Sequence, residues 1–255
     1  MTRDELVAAV CEQPAATGIF SDFDGTLAEI VDDPFLARGV DGAWLLLEDL
    51  ARRFAVVAVV SGRSITHLLD NFNPEGVLLS GSHGLQRSDR ERRYVEQEAI
   101  DAASEAVELL AHLPGVKVER KPLGAAIHWR LDPDSAEAAR RVAEEVAPRH
   151  GMILRPGRMV LEMALPGPGK GGVISDLIAE HGLGTVLFAG DDLGDLEAFR
   201  HLRTLPVRSL LVAVATPESP DALREAADLA VDSPRDVVAL LSEIQRASEL
   251  RPPQG

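Results

Sequence analysis

Five short apolar runs punctuate the chain: Thr17–Phe23, Phe54–Val60, Val77–Ser80, Val186–Gly190 and Leu210–Ala215. Nearly unbroken apolarity over so short a length marks strands covered on both faces. Between and after them lie amphipathic segments at Gly42–Arg52, Ser64–Asp70, Gly171–His181, Leu193–Leu202 and Ser233–Ala247. This alternation predicts an α/β fold, a doubly wound and mostly parallel sheet with helices on both faces. Ligands of such sheets bind beyond the carboxyl ends of the strands. Residues at those ends therefore carry the most weight.

The pattern breaks between about Gln86 and Leu165. This stretch opens on the charged run Arg87–Arg93 and continues with a helix at Asp101–Leu113. A hairpin follows, Lys117–Lys121 and Ala125–Leu131, turning at Pro122-Leu123-Gly124. Next come a helix at Ser135–Ala147, capped by Asp134 or Ser135, and two strands around Arg155-Pro156-Gly157-Arg158. We read 1–85 and 166–255 as the α/β core and 86–165 as a smaller inserted α+β domain.

Composition narrows the function classes. With 255 residues, 45% of them hydrophobic, the chain can bury a substantial core. The 41 acidic residues against 26 basic ones give a net charge of −15, which disfavours a nucleic-acid partner. A phosphate can still bind where a metal ion and a few local cations reverse the sign. The single Cys11 offers no disulfide, the start of the chain lacks a signal-peptide pattern, and no run is long enough to span a membrane. A cytoplasmic location, no membrane partner and a monomer are expected.

The strongest chemical signal is Ser21-Asp22-Phe23-Asp24-Gly25-Thr26, at the end of the first strand. Alternation puts the Asp22 and Asp24 side chains on one side, and two adjacent carboxylates at an apolar strand end call for a cation. The second strand ends in Ser61-Gly62-Arg63, a hydroxyl and backbone N–H groups at a helix start, where a phosphate oxygen is well held. Lys170 stands in the first turn of a later helix, where a cation opposes the helix dipole. The fourth strand ends in Gly190-Asp191-Asp192-Leu193-Gly194-Asp195, hard oxygen ligands of the kind that suit Mg²⁺.

These four stations, in this order, resemble the four motifs of the haloacid-dehalogenase-like (HAD) phosphatases. The resemblance implies that Asp22 attacks phosphorus to form an aspartyl phosphate, and that Asp24 serves as acid and then base. It implies that Ser61 and Lys170 hold the phosphoryl oxygens, with Thr26, Gly62 and Arg63 on the substrate side. Mg²⁺ would be bound by Asp22, the Asp24 backbone carbonyl and Asp191, supported by Asp192 or Asp195.

The position of the insert, after Gly81-Ser82-His83-Gly84, resembles the cap of a sugar phosphatase subgroup. Within it, Lys121, His128-Trp129-Arg130, Arg155-x-Gly157 and Glu162 are similar to the trehalose-6-phosphate phosphatase pattern. The resemblance implies a small-molecule sugar phosphate as partner, read by Lys121, His128, Arg130, Arg155 and Glu162. Alternation places His128 and Arg130 opposite Ile127 and Trp129, and Arg158 and Glu162 opposite Met159, Leu161 and Met163. The chain departs from the pattern at Gly194 and Leu196, where threonine and glutamate are usual, and at Arg158, where lysine is common. His83 has no assigned role. Phosphatases of sucrose phosphate or mannosyl-phosphoglycerate, phosphosugar mutases and a silent sugar-phosphate sensor stay open as alternatives. A phosphorylation receiver domain lacks the second aspartate and has about half this length.

Overall fold

The computed structural model describes residues 1–31, 36–71, 74–90, 97–157, 159–216 and 219–250. The chain separates into two compact units, one formed by Met1–Arg90 and Pro168–Gly255, the other by Glu91–Gly167. Arg158 and residues 91–93 of the charged run lie outside the described residues.

In the first unit the strands are β1 (Thr17–Ser21), β2 (Val56–Val60), β3 (Leu78–Gly81), β4 (Gln86–Arg87), β9 (Thr185–Gly190), β10 (Arg208–Val214) and β11 (Leu229–Val231). They form one sheet in the order β11-β10-β9-β1-β2-β3-β4, parallel except for β4. Alternation along the strands sorts their side chains onto two faces. On one face, Ile19, Val57, Val59, Leu187 and Val212 pack with residues of three helices, α1 (Arg3–Val10), α2 (Ala43–Ala51) and α9 (Pro234–Glu249). On the other, Phe20, Ala58, Phe188 and Leu211 pack with α6 (Gly169–His181), α7 (Leu193–Leu202) and Leu223 of α8 (Asp221–Ala226). Phe188 and Phe199 meet edge to face with centroids 5.6 Å apart. Each such buried aromatic contributes about 1.5–3 kcal/mol. The fold is thus the doubly wound α/β sheet expected from the apolar runs.

The chain winds one way from β1 through β2 to β3 and the other way from β9 through β10 to β11. The reversal lies at β1, flanked by β9 and β2. A doubly wound sheet opens a crevice at such a switch point, above the carboxyl ends of the strands. Asp22 follows β1, Ser61 follows β2, and Asp191 follows β9.

The second unit consists of α4 (Gln97–Leu110), β5 (Lys117–Lys121), β6 (Gly124–His128), α5 (Ala136–Arg149), β7 (Ile153–Gly157) and β8 (Val160–Ala164). Its antiparallel sheet runs β5-β6-β8-β7. Ala125, Ile127, Leu161 and Met163 pack against the alanine-lined α4 and α5. One expectation changes here. The hairpin strand ends at His128 rather than Leu131, because Trp129 accepts the Asp132 N–H at 3.0 Å and the chain turns ahead of Pro133. Trp129 is buried, whereas Arg130 is exposed in that turn, so strand alternation does not place it beside His128.

Candidate active site

Asp22 leaves β1 with its backbone N–H donating to the Ala189 carbonyl at 2.9 Å, which continues the parallel ladder by one step. The chain then turns at Gly25, whose φ of +78° favours glycine. A Cβ there would fall 2.2 Å from Asp191 Oδ2, so the turn presses directly on that carboxylate. Thr26 is fully buried, and its hydroxyl donates to Asp191 Oδ1 at 3.4 Å.

Asp191 and Asp192 follow β9, and Asp195 lies in the first turn of α7. The Asp192 side chain caps that helix by accepting from the Asp195 N–H at 2.8 Å. Asp195 returns the contact: Oδ2 accepts from the Asp191 and Asp192 N–H groups at 3.0 and 3.2 Å. Lys170, the second residue of α6, sends its Nζ 2.7 Å from Asp195, 3.0 Å from Asp22 and 3.7 Å from Asp192. Asp22, Lys170 and Asp195 are all buried. Leu196, one of the departures, packs into the apolar core on the α7 side.

Burial pushes the Asp22 carboxyl well above its usual range; Lys170 opposes this, and Asp192, Asp191 and Asp24 add to it. Burial raises Asp195 in the same way, against Lys170 and with Asp192 and Asp22 adding. Asp191 is pushed up to about 8 by burial and by Asp195 and Asp192. Burial works against a charged Lys170, yet Asp192, Asp195 and Asp22 override it and hold the ammonium well above its usual value. One lysine is too little positive charge for these carboxylates. A further cation would let them ionise together.

The donor set fits Mg²⁺. Asp22, Asp191 and Asp195 each offer an oxygen, and the three atoms lie within 4.8 Å of one another. Clustered carboxylate oxygens are the hard donors that Mg²⁺ takes. Asp192, which caps α7 and whose side chain is 57% exposed, is not one of this group. The Asp24 carboxylate pairs with Arg63.

Ser61 is buried at the end of β2, and its Oγ accepts from the Arg63 N–H at 3.1 Å. The loop after β3 lies against this turn: Ser82 N–H donates to the Arg63 carbonyl at 2.7 Å, and His83 N–H to the Ser61 carbonyl at 3.2 Å. Ser82 and His83 both have positive φ, 50° and 55°, which is costly for non-glycine residues. A Cβ on Gly62 would fall 2.8 Å from the His83 ring, so Gly62 is needed where the ring lies on the turn. His83 thus braces the turn that carries Ser61.

In the second unit, the sheet register places Glu119, Ala126, Glu162 and Arg155 in one row across the strands. Side chains in such a row share a face, here the one opposite α4 and α5. Lys121 Nζ is 2.9 Å from Glu162 Oε1, and His128 Nε2 is 2.9 Å from Glu119 Oε2. Arg155 Nε is buried and finds no hydrogen-bond partner among the described residues. Glu119 was not singled out from the sequence. The run Lys117-Val118-Glu119-Arg120-Lys121 is polar on both faces, because Arg120 reaches Ser104 of α4 on the helix side. Burial raises the Glu119 carboxyl, but the His128 hydrogen bond and Lys121 override it and hold the group below its usual range.

No helix among the described residues is long and apolar enough to cross a membrane. The chain is 33% identical over 231 residues to a trehalose-phosphate phosphatase of Mycobacterium avium (strain 104), covering 85% of this chain and 59% of the relative. It is 31% identical over 266 residues to a trehalose-phosphate phosphatase of Mycobacterium leprae (strain TN), covering 95% and 59%. The chain therefore spans somewhat over half the length of these relatives. In fold it is similar to the C-terminal domain of the C. albicans trehalose-6-phosphate phosphatase, with a TM-score of 0.79 at 22% identity, covering 97% of this chain and 98% of that one. A haloacid dehalogenase-like hydrolase from Bacteroides thetaiotaomicron shares the fold at a TM-score of 0.63 and 16% identity, covering 91% and 99%. Given a match of residues 20–235 to the family described as trehalose-phosphatase, the chain belongs to the trehalose-phosphatase family.

Proposed function

We propose that the chain is a Mg²⁺-dependent phosphatase that hydrolyses trehalose 6-phosphate to trehalose and phosphate through an aspartyl phosphate on Asp22. The observation that carries this reading is the buried Asp22 carboxylate, 3.0 Å from Lys170, with the Asp191 and Asp195 oxygens close beside it. An isolated structural ion pair needs no such accumulation of acid. A carboxylate that attacks a phosphate does, once a cation joins it.

Asp22, Asp191 and Asp195 would hold Mg²⁺, with the Asp24 carbonyl joining them. When bound, the ion supplies positive charge that lets Asp22 ionise and tolerates the incoming phosphate. In the first half-reaction an Asp22 oxygen bonds to phosphorus as the bond to the sugar oxygen breaks. The electron pair stays on that oxygen, which takes the proton of Asp24. In the second half-reaction a water oxygen bonds to phosphorus and gives its proton to Asp24, and the Asp22 oxygen leaves with its electron pair. Lys170 and Ser61 neutralise and hold the transferring oxygens, and the Gly62 backbone lines the same turn.

The polar face bearing Lys121, His128, Arg155 and Glu162 takes the sugar hydroxyls, and Glu119 completes it. Such a ring needs both donors and acceptors, which this face offers. The second unit is then the part that reads the substrate. Phosphate release with Mg²⁺ from trehalose 6-phosphate, sucrose 6-phosphate and glucose 6-phosphate tests the reading. Trehalose 6-phosphate is expected to give the highest kcat/KM. Preference for another member would retain the chemistry and replace the substrate.

A further inference from the structure

Arg63 follows Ser61 in the turn after β2, and its guanidinium meets the Asp24 carboxylate. Nε and Nη2 approach the two oxygens of Asp24 at 2.6 and 2.5 Å, a bidentate pair. Nη1 lies 2.7 Å from Nε2 of His67, four residues on in α3 (Ile65–Asn71). The guanidinium carbon sits 5.9 Å from the centroid of Phe23, a fully buried ring that stacks on Trp44. Arg63 is thus fixed on one side by an aromatic face and on another by a ring nitrogen. Its side chain is 16% exposed, against 36% for Asp24. The guanidinium can only donate, so Nε2 of His67 accepts in this contact. The rigid partner in this pair is the arginine.

We infer that Arg63 is a positioning residue for Asp24 in the second half-reaction, the hydrolysis of the aspartyl phosphate. The inference rests on the reading under Proposed function. By the proton balance given there, Asp24 enters the second half-reaction as a carboxylate, having given its proton to the departing sugar. The Asp24 carboxylate accepts both N–H groups of the fork in charge-assisted hydrogen bonds. The fork therefore fixes the orientation of the group that must take a proton from water. An ionised carboxylate has about four acceptor positions, so two remain for the attacking water while the fork fixes the plane of the group. Without the fork, the partly exposed Asp24 side chain would turn among rotamers and only part of the population would face the water.

The test uses the full chain with Mg²⁺ and p-nitrophenyl phosphate, whose leaving group departs without a proton from Asp24. Nitrophenolate is followed by rapid mixing, and the phosphoenzyme is trapped by acid quench. For Arg63→Gln we expect kcat to fall by about tenfold or more. A burst of one nitrophenolate per chain should precede it, with phosphate trapped on Asp22. The kcat/KM value, which reports only the first half-reaction here, should stay within about threefold of the unaltered protein. Arg63→Lys keeps the charge but cannot form the fork, so it should show the same burst. A parallel loss of kcat and kcat/KM without a burst would place Arg63 on the phosphate instead and overturn the inference, as would Arg63→Lys with full turnover. Asp24→Asn separates the two levels of the argument. A burst in Asp24→Asn but none in Arg63→Gln sinks the inference alone, whereas no phosphoenzyme in any of the proteins sinks the underlying mechanism.

Discussion

The absence of a side chain at Gly190 is what lets Asp195 lie under the end of β9: a Cβ on Gly190 would fall 2.2 Å from the Asp195 carboxylate carbon. Asp195 is fully buried there, bonded to Lys170 and to the backbone N–H groups of Asp191 and Asp192. Gly190→Ala would displace Asp195, and Lys170 and the Asp191 backbone would move with it. Overpacking of this kind costs about 1–3 kcal/mol. We expect that loss in urea unfolding, together with at least about a tenfold loss in kcat. A variant unchanged in both would show that the turn tolerates a methyl group and that its packing is loose.

The Asp22 side chain is the proposed nucleophile, and Asp22→Asn should lower turnover by about a thousandfold or more. The same change removes one carboxylate from a cluster whose members raise one another, while Lys170 keeps Asp195 at 2.7 Å. Metal-free Asp22→Asn should therefore be no less stable than the unaltered chain. Thermal unfolding and kinetics on one preparation would check both parts. More than about a tenth of the original activity in the pure variant would end the covalent assignment.

Removal of divalent metal has a consequence for stability as well as for activity. Burial and mutual repulsion raise Asp22, Asp191 and Asp195 in the folded chain, with Asp191 at about 8. Between the ordinary aspartate range and pH 8 the metal-free folded state then binds more protons than the unfolded one. Stability must fall as pH rises through that window, by up to about 1.4 kcal/mol per pH unit for each proton held. Mg²⁺ binding favours the ionised carboxylates and should flatten the dependence. Melting curves from pH 5 to 8, with chelator and with excess Mg²⁺, would test this. Parallel curves would mean that the cluster does not hold the ion.

The parallel sheet was legible because its strands are buried on both faces, which leaves short apolar runs such as Val56–Val60 with little else to be. The strand-end stations were legible because a doubly wound sheet gathers strand ends at its switch point, so sequence order alone brings Asp22, Ser61 and Asp191 to one edge. What local pattern cannot show is how side chains pair across elements. Asp24 and Arg63 are 39 positions apart and meet only because β1 and β2 are neighbours. The polar face of the second sheet was read in part. Lys121, His128 and Glu162 stood out, but Glu119 sits in a strand with charges on both faces, and Arg130 was assigned by an alternation that stops at His128. The helix α1 is absent from the amphipathic segments read from the sequence, although Thr2 and Glu5 form a capping box there.

Recognition and chemistry should separate most clearly at Glu162. Its carboxylate holds Lys121 at 2.9 Å and shares a row with Glu119 and Arg155, in a unit whose strands carry none of the four phosphate-handling stations. If this face grips the sugar hydroxyls, Glu162→Ala removes a charged acceptor from a neutral partner and breaks the ion pair with Lys121. Such a loss costs about 1.5–3 kcal/mol, or one to two decades in kcat/KM. A small aryl phosphate presents no sugar, so its hydrolysis should be nearly unaffected. Glu119→Ala should act in the same direction by releasing His128, and Glu162→Gln should recover part of the loss, since an amide oxygen still accepts. Some of the effect should appear in kcat, because contacts with the non-reacting part of a substrate also serve the transition state. Steady-state kinetics of the three variants on trehalose 6-phosphate and on p-nitrophenyl phosphate would decide the matter. Equal losses on both substrates would mean that Glu162 acts through the fold of its unit, and the polar face would lose its place as the reader of the sugar.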